Sequence, residues 1–100
     1  MPETNPKVVW TREARKSLNA ILDFRYKDIP SARKIIRSDI ISYSKEIVFA
    51  TQYQRDEVFS QYRRISVRDY KILYKEIEGV VYIMNVVCSG IEQNLDGILM

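Results

Sequence analysis

The sequence has no histidine and only one cysteine, Cys88, in 100 residues. An internal disulfide is thereby excluded, and the chain suits a reducing compartment. The missing histidine removes the commonest metal ligand and the commonest general base. No metal site, no cofactor and no Ser-His or Cys-His chemistry is therefore expected. Cys88 lies in the apolar run VVYIMNVVC, and with no base to activate it, it reads as a buried, inert thiol. No apolar run approaches the ~20 residues of a membrane span. The start, MPETNPK, lacks a basic region followed by an apolar stretch, so no signal peptide is read and a cytoplasmic protein is expected.

What is present is the composition of an ordinary globular domain, 46% apolar and 29% charged. A chain of this length forms one domain, 1–100, and buries roughly 60–65% of its unfolded surface on folding. Residues 1–6 are expected to be disordered.

Lys7 to Trp10 (KVVW) reads as a short strand. Thr11 is placed as the N-cap of a helix, with Glu13 in the first turn where a negative charge suits the helix dipole. Ala14, Leu18, Ile21, Leu22 and Arg25 then follow the spacing of one helix face, with Arg12, Arg15, Lys16 and Asn19 elsewhere. The segment from Lys27 to Ser31 interrupts this run, and Pro30 suits the start of the next helix. A second periodic series, Ala32, Ile35, Ile36, Ile40, Tyr43 and Ile47, predicts a helix that folds back on the first as an antiparallel hairpin.

Between Val48 and Ser60 neither period holds, which predicts a long loop with one ordered turn. Two strands follow, broken near Asp69. The first sets Ile65 and Val67 opposite Arg64, Ser66 and Arg68. The second sets Tyr70, Ile72 and Tyr74 opposite Lys71, Leu73 and Lys75. Glu78-Gly79 is a tight hairpin turn, and Val80 to Val87 is expected to be a central strand covered on both faces. The tail after Ser89-Gly90 carries weak signals. The fold class is α+β: an N-terminal strand and an antiparallel helical hairpin packed on an antiparallel sheet.

Charge is distributed unevenly. The stretch QYRRISVRDYKILYK, residues 61–75, holds five cations against one acid, a net of +4. The whole chain carries only +3, which leaves −1 for everything else. Arg63, Arg64, Arg68, Lys71 and Lys75 thus lie on the predicted strands, and Arg64, Arg68 and Lys71 are expected on the sheet face turned away from the helices. The plain explanation is a soluble face that discourages edge-to-edge pairing. Against it, arginine outnumbers lysine three to two, and Tyr62, Tyr70 and Tyr74 are interleaved. Arginine grips oxyanions with a planar fork and tyrosine offers a stacking surface, which sets a polyanion-binding face level with the plain explanation.

Three pieces together resemble the RelE/ParE superfamily, the toxins of bacterial type II toxin–antitoxin modules. They are the strand and helix of VVWTREARKSLNAILDF, a helical hairpin of matching length, and the basic pair of strands RRISVRDYKILY. The order and spacing carry the likeness, over most of residues 7 to 87. The resemblance implies two alternative activities. RelE-like members cut mRNA in the ribosomal A site, which takes a proton acceptor, a proton donor and cations around the phosphorane. ParE-like members poison DNA gyrase and perform no such chemistry.

By position, Arg64 lies near a basic residue of the RelE cleavage strand, and Lys71, just after Tyr70, matches a phosphate-contacting arginine. A second RelE lysine position falls on Ser66. The family's C-terminal arginine and tyrosine have no counterpart, because residues 89–100 contain no Arg, Lys or Tyr. Arg68 is the candidate stand-in for a missing cation, and Tyr74 reads as packing between helix and sheet. If the chain is a ribonuclease, the catalytic set would be Arg64, Lys71 and Arg68; the binding set would be Arg63, Arg64, Arg68, Lys71 and Tyr70, with no metal ligand. The incomplete set leans the expectation towards a ParE-like gyrase poison used in plasmid stabilization. An mRNA endoribonuclease and an inactive antitoxin-binding member stay open. The resemblance also implies a cognate antitoxin as partner and a toxin–antitoxin hetero-oligomer. Antitoxins are often acidic where they wrap the toxin, which suits a basic face, with Arg12, Arg15 and Lys16 as further contributors.

Overall fold

A computed structural model of the chain describes residues 6–88. Along these run β1 (Lys7–Trp10), α1 (Arg12–Tyr26), α2 (Pro30–Ser44), β2 (Arg63–Val67), β3 (Tyr70–Ile77) and β4 (Val80–Cys88). The strands form one sheet in the order β1-β4-β3-β2. The C-terminal strands are the expected antiparallel meander, but β1 joins them parallel to β4, with Lys7 opposite Val80 and Trp10 opposite Ile83. The sheet is therefore mixed. The expectations for residues 1–6, Pro6 apart, and for the tail fall outside the described residues.

Thr11 ties the helices to this sheet. Its Oγ1 accepts from the N–H of Ala14 at 3.2 Å, capping α1 as the sequence suggests, and donates to the carbonyl of Ile83 at 2.7 Å. One side chain thus closes the helix start and fixes it beside the central strand. Ala14, Leu18 and Leu22, each four residues on, form the buried face of α1. After the break at Lys27–Ile29, Pro30 opens α2, where its missing N–H leaves nothing unsatisfied. The exposed pair of Arg33 Nε and Asp23 Oδ1, 2.9 Å apart, spans the two helices.

The inner stripe of α2 is narrower than its periodicity implies. Ile36, Ile40 and Ser44 are buried, whereas Ile35 and Tyr43 are 56% and 44% exposed. Ser44 belongs to the interior because its hydroxyl is used twice, accepting from Trp10 Nε1 at 3.0 Å and donating to the carbonyl of Ile41 at 2.7 Å. Ile47 is buried as expected, but beyond the end of the helix.

The sheet contributes Ile65, Val67, Tyr70, Ile72, Tyr74, Val81, Ile83, Val86 and Cys88 to the same core. A register shift makes the β4 set possible. Leu73 pairs with Asn85 but Tyr74 pairs with Ile83, leaving Met84 as the extra residue of a bulge. Strict alternation after Ile83 would have turned Asn85 inward; the bulge turns Val86 and Cys88 inward instead. β4 is central as expected, but its outer side is half-buried rather than fully covered. At the β3–β4 turn Glu78 and Gly79 both have positive φ, 51° and 83°, the pair of conformations that matches the twist of a two-residue hairpin.

The 45–62 connection is better ordered than a loop with one turn. Gln54 O accepts from Arg64 N–H at 3.1 Å and Asp56 N–H donates to Tyr62 O at 2.9 Å, around a bridge between Arg55 and Arg63. Residues 54–56 thus lie along the outer edge of β2 at its start and occupy part of an edge that would otherwise be open. Among the described residues, no helix is long and apolar enough to cross a membrane.

Candidate functional site

The basic stretch folds as β2, a turn and β3, and pleating sends its side chains to different places. Register puts Arg64 beside Leu73 and Ser66 beside Lys71, the face turned away from the core. Arg64 and Lys71 do lie on that face, as expected, but it is not open there. Asp56, 2% exposed, reaches it from the 45–62 connection. Its Oδ2 accepts the N–H groups of Val58 and Phe59 at 2.9 and 2.8 Å, a turn closed by the aspartate's own side chain. Its Oδ1 meets cations instead: the Lys71 ammonium at 3.1 Å and the Arg64 guanidinium at 3.9 Å. Arg64 Nη1 also donates to the carbonyl of Arg55 at 2.9 Å. The side chains of Lys71 and Arg64 are 12% and 19% exposed.

Burial by itself would raise the Asp56 carboxyl, but the Phe59 N–H, the Lys71 ammonium and the Val58 N–H together hold it below the ordinary carboxylate value of 3.8. Asp56 is therefore an anion at neutral pH. An oxyanion ligand reaching for Lys71 and Arg64 would compete with a carboxylate already in place.

The other candidates are dispersed. Arg68 is on neither strand: it occupies the β2–β3 turn at φ 54° and grips Asp39 of α2 through Nε at 2.9 Å and Nη2 at 2.6 Å. That places it on the helix side, not on the outer face with Arg64. Tyr70 is 1% exposed. Its hydroxyl pairs with that of Tyr26 at 3.0 Å and accepts from Arg25 Nη1 at 3.2 Å, and the Arg25 guanidinium lies 5.4 Å from its ring centre. Burial, reinforced by the Tyr26 contact, raises the Tyr70 hydroxyl well above the usual tyrosine value, so it stays protonated. Arg63 turns to the helix side, opposite Tyr74, and donates to the carbonyl of Tyr53 at 2.8 Å. Tyr74 is buried, with its hydroxyl on the carbonyl of Ala50 at 2.8 Å.

The geometry brings Arg64 and Lys71 together and separates both from Arg68, Tyr70 and Arg63. The residues missed from sequence are two acids, Asp56 and Asp39. Asp56 carried a faint signal: an aspartate in QRDEVFS is a natural turn former. Nothing in the sequence shows that its second oxygen faces the sheet.

A four-stranded mixed sheet carrying a helical hairpin on one face defines the class as α+β, consistent with the RelE/ParE-like fold that the sequence resemblance implies. No protein-family model matches the chain, and no curated protein matches it significantly. Among solved structures, it is similar to a chain of the chromosomal ParDE TA system from P. aeruginosa, with a TM-score of 0.69 and 18% identity, covering 83% of this chain and 95% of that one. At that identity the likeness is one of fold.

Proposed function

We propose that this chain is the toxin of a toxin–antitoxin module, acting as a ParE-like poison of a protein target, DNA gyrase, rather than as a ribonuclease. The fold shared with a chain of a ParDE system supports the toxin reading. The observation that carries the choice of activity is Asp56. The two cations best aligned with a cleavage strand, Arg64 and Lys71, are held by an internal carboxylate. Cleavage of RNA by its own 2′-hydroxyl takes cations free to surround the phosphorane and a group free to move a proton. Arg68 is engaged by Asp39, and Tyr70 is buried and held protonated. A toxin that works by binding needs none of these groups at a reacting phosphate. In this reading a cognate antitoxin holds the chain in a hetero-oligomer inside the cell.

The reading is tested by inducing the chain in a bacterium that lacks the antitoxin. Growth should stop while messages stay intact and the supercoiling of a reporter plasmid changes. New mRNA 5′ ends inside translated codons, with supercoiling unchanged, would replace it with the RelE-like activity. Unimpeded growth would leave an inactive, antitoxin-binding member.

A further inference from the structure

At the β2 edge of the sheet, where the 45–62 connection meets the ends of β2 and β3, lies a cleft of about 310 Å³. Arg55, Arg63 and Lys75 line it, together with Thr51, Gln61 and Glu76. These three cations differ from Arg64, Lys71 and Arg68, which each lie within 4 Å of an aspartate. Among the described residues, Arg55, Arg63 and Lys75 have no carboxylate partner.

Both arginines are nevertheless fixed. Arg63 Nη1 donates to Tyr53 O at 2.8 Å and Arg55 Nη1 to Ser60 O at 3.1 Å. Each guanidinium is oriented by one backbone carbonyl and keeps further N–H groups for a ligand. That is a pre-organised arrangement for a planar oxyanion. Exposed apolar side chains adjoin the lining residues along the chain. Phe49, next to the lining residue Ala50, is 56% exposed, Val48 is 48% exposed, and Ile77, next to Glu76, is 47% exposed.

We infer that this cleft docks an acidic side chain, aspartate or glutamate, of a partner segment whose apolar residues cover Val48, Phe49 and Ile77. The inference rests on the reading that the chain is held by an acidic protein partner. A protein segment fits better than a nucleic acid for two reasons. A polynucleotide needs a track of cations along its backbone, and the neighbouring pair Arg64 and Lys71 is already occupied by Asp56. Glu76 on the lining would also repel successive phosphates, while a single carboxylate has three cations to one acid in its favour.

The test uses the whole chain and a fluorescent synthetic peptide of alternating glutamate and leucine, with a single-stranded oligouridylate as the competing probe. Lys75→Glu makes the cleaner variant, because the Lys75 side chain has no hydrogen bond or ion pair among the described residues, so its replacement breaks no internal polar contact. Peptide affinity should fall about tenfold in Lys75→Glu, roughly one charged contact of binding free energy. It should rise about threefold in Glu76→Gln, which keeps an acceptor for the N–H of Gly79. Lys34→Gln, on α2, should leave affinity unchanged. Equal peptide binding by the parent and Lys75→Glu would overturn the inference, as would oligouridylate binding tighter than the peptide. The two readings fail separately. Growth arrest with cleft variants indifferent to the peptide removes the cleft alone, and peptide binding lost in Lys75→Glu without growth arrest removes only the toxin reading.

Discussion

Arg63 and Arg64 are neighbours in sequence and opposites in environment. Arg64 turns to the outer face, where with Lys71 it meets the buried Asp56; Arg63 turns to the helix side and lines a cleft whose cations have no acid of their own among the described residues. The same β period that puts positive charge on both faces gives it two roles. On the outer face the charge fastens a connection to the sheet. In the cleft it is left for something outside the chain. Positive charge on a strand therefore marks a binding surface only after its internal partners have been subtracted.

The sharpest way to break this comparison is to remove the fastening. Asp56→Ala leaves Lys71 and Arg64 in a largely buried place without their carboxylate, and it opens the turn closed by Val58 and Phe59. Such losses cost about 3 kcal/mol, which in a domain of this size lowers the Tm by roughly 10–20 °C. Lys75→Gln, the corresponding change in the cleft, should stay within about 0.5 kcal/mol of the parent, as surface substitutions do. Thermal unfolding of the two variants side by side decides the matter, and equal Tm values would mean that Asp56 fastens nothing.

A smaller effect concerns acid. Because the folded Asp56 carboxyl titrates below its ordinary 3.8, its contribution is complete above that value and is lost as pH falls through the lower, folded-state value. Denaturant titrations from pH 6 down to pH 2 should show stability dropping more steeply in the parent than in Asp56→Asn. The alkaline side has the reverse sign. Tyr70 is raised above its ordinary 10.0, so its contribution is present below about pH 10 and is lost as pH rises beyond it. Tyr70→Phe should soften the alkaline fall, read by far-ultraviolet circular dichroism.

The smallest effects are expected at Arg68. Its pair with Asp39 is half-exposed, so Arg68→Ala should cost only about 0.5 kcal/mol. At φ 54°, however, a side chain strains the backbone by roughly 1 kcal/mol relative to glycine. Arg68→Gly should accordingly be more stable than Arg68→Ala although both lose the same ion pair. The opposite order in chemical denaturation would show that the pair, not the turn, sets the choice of residue there.

Much of the fold is legible in the sequence because local rules and tertiary packing agree. Thr11 caps α1, Pro30 opens α2, Glu78-Gly79 turns the last hairpin, and the four-residue repeat Ala14, Leu18, Leu22 is the buried face it looks like. What escapes is set by contacts distant in the chain. The parallel pairing of β1 with β4 depends on where the helical hairpin returns the chain. The bulge at Met84 is invisible in a run as uniformly apolar as VVYIMNVV. Ile35 and Tyr43 fit the helical period but lie at the margin of a stripe that meets the sheet through Ile36 and Ile40. The candidate site was legible as a cluster of charge, and its division into paired and unpaired cations was not. Asp56 and Asp39 come from elements that carry no hint of which cations they will meet.

The titration of the Asp56 carboxyl carbon, followed by NMR in the folded chain, tests the central claim most directly. A midpoint clearly below 3.8, with the Lys71 side-chain signals shifting in the same transition, is the result expected if Asp56 holds Lys71 and Arg64. An ordinary midpoint with Lys71 unaffected would mean the two cations are not engaged by Asp56, and the argument against a cleaving toxin would lose its foundation.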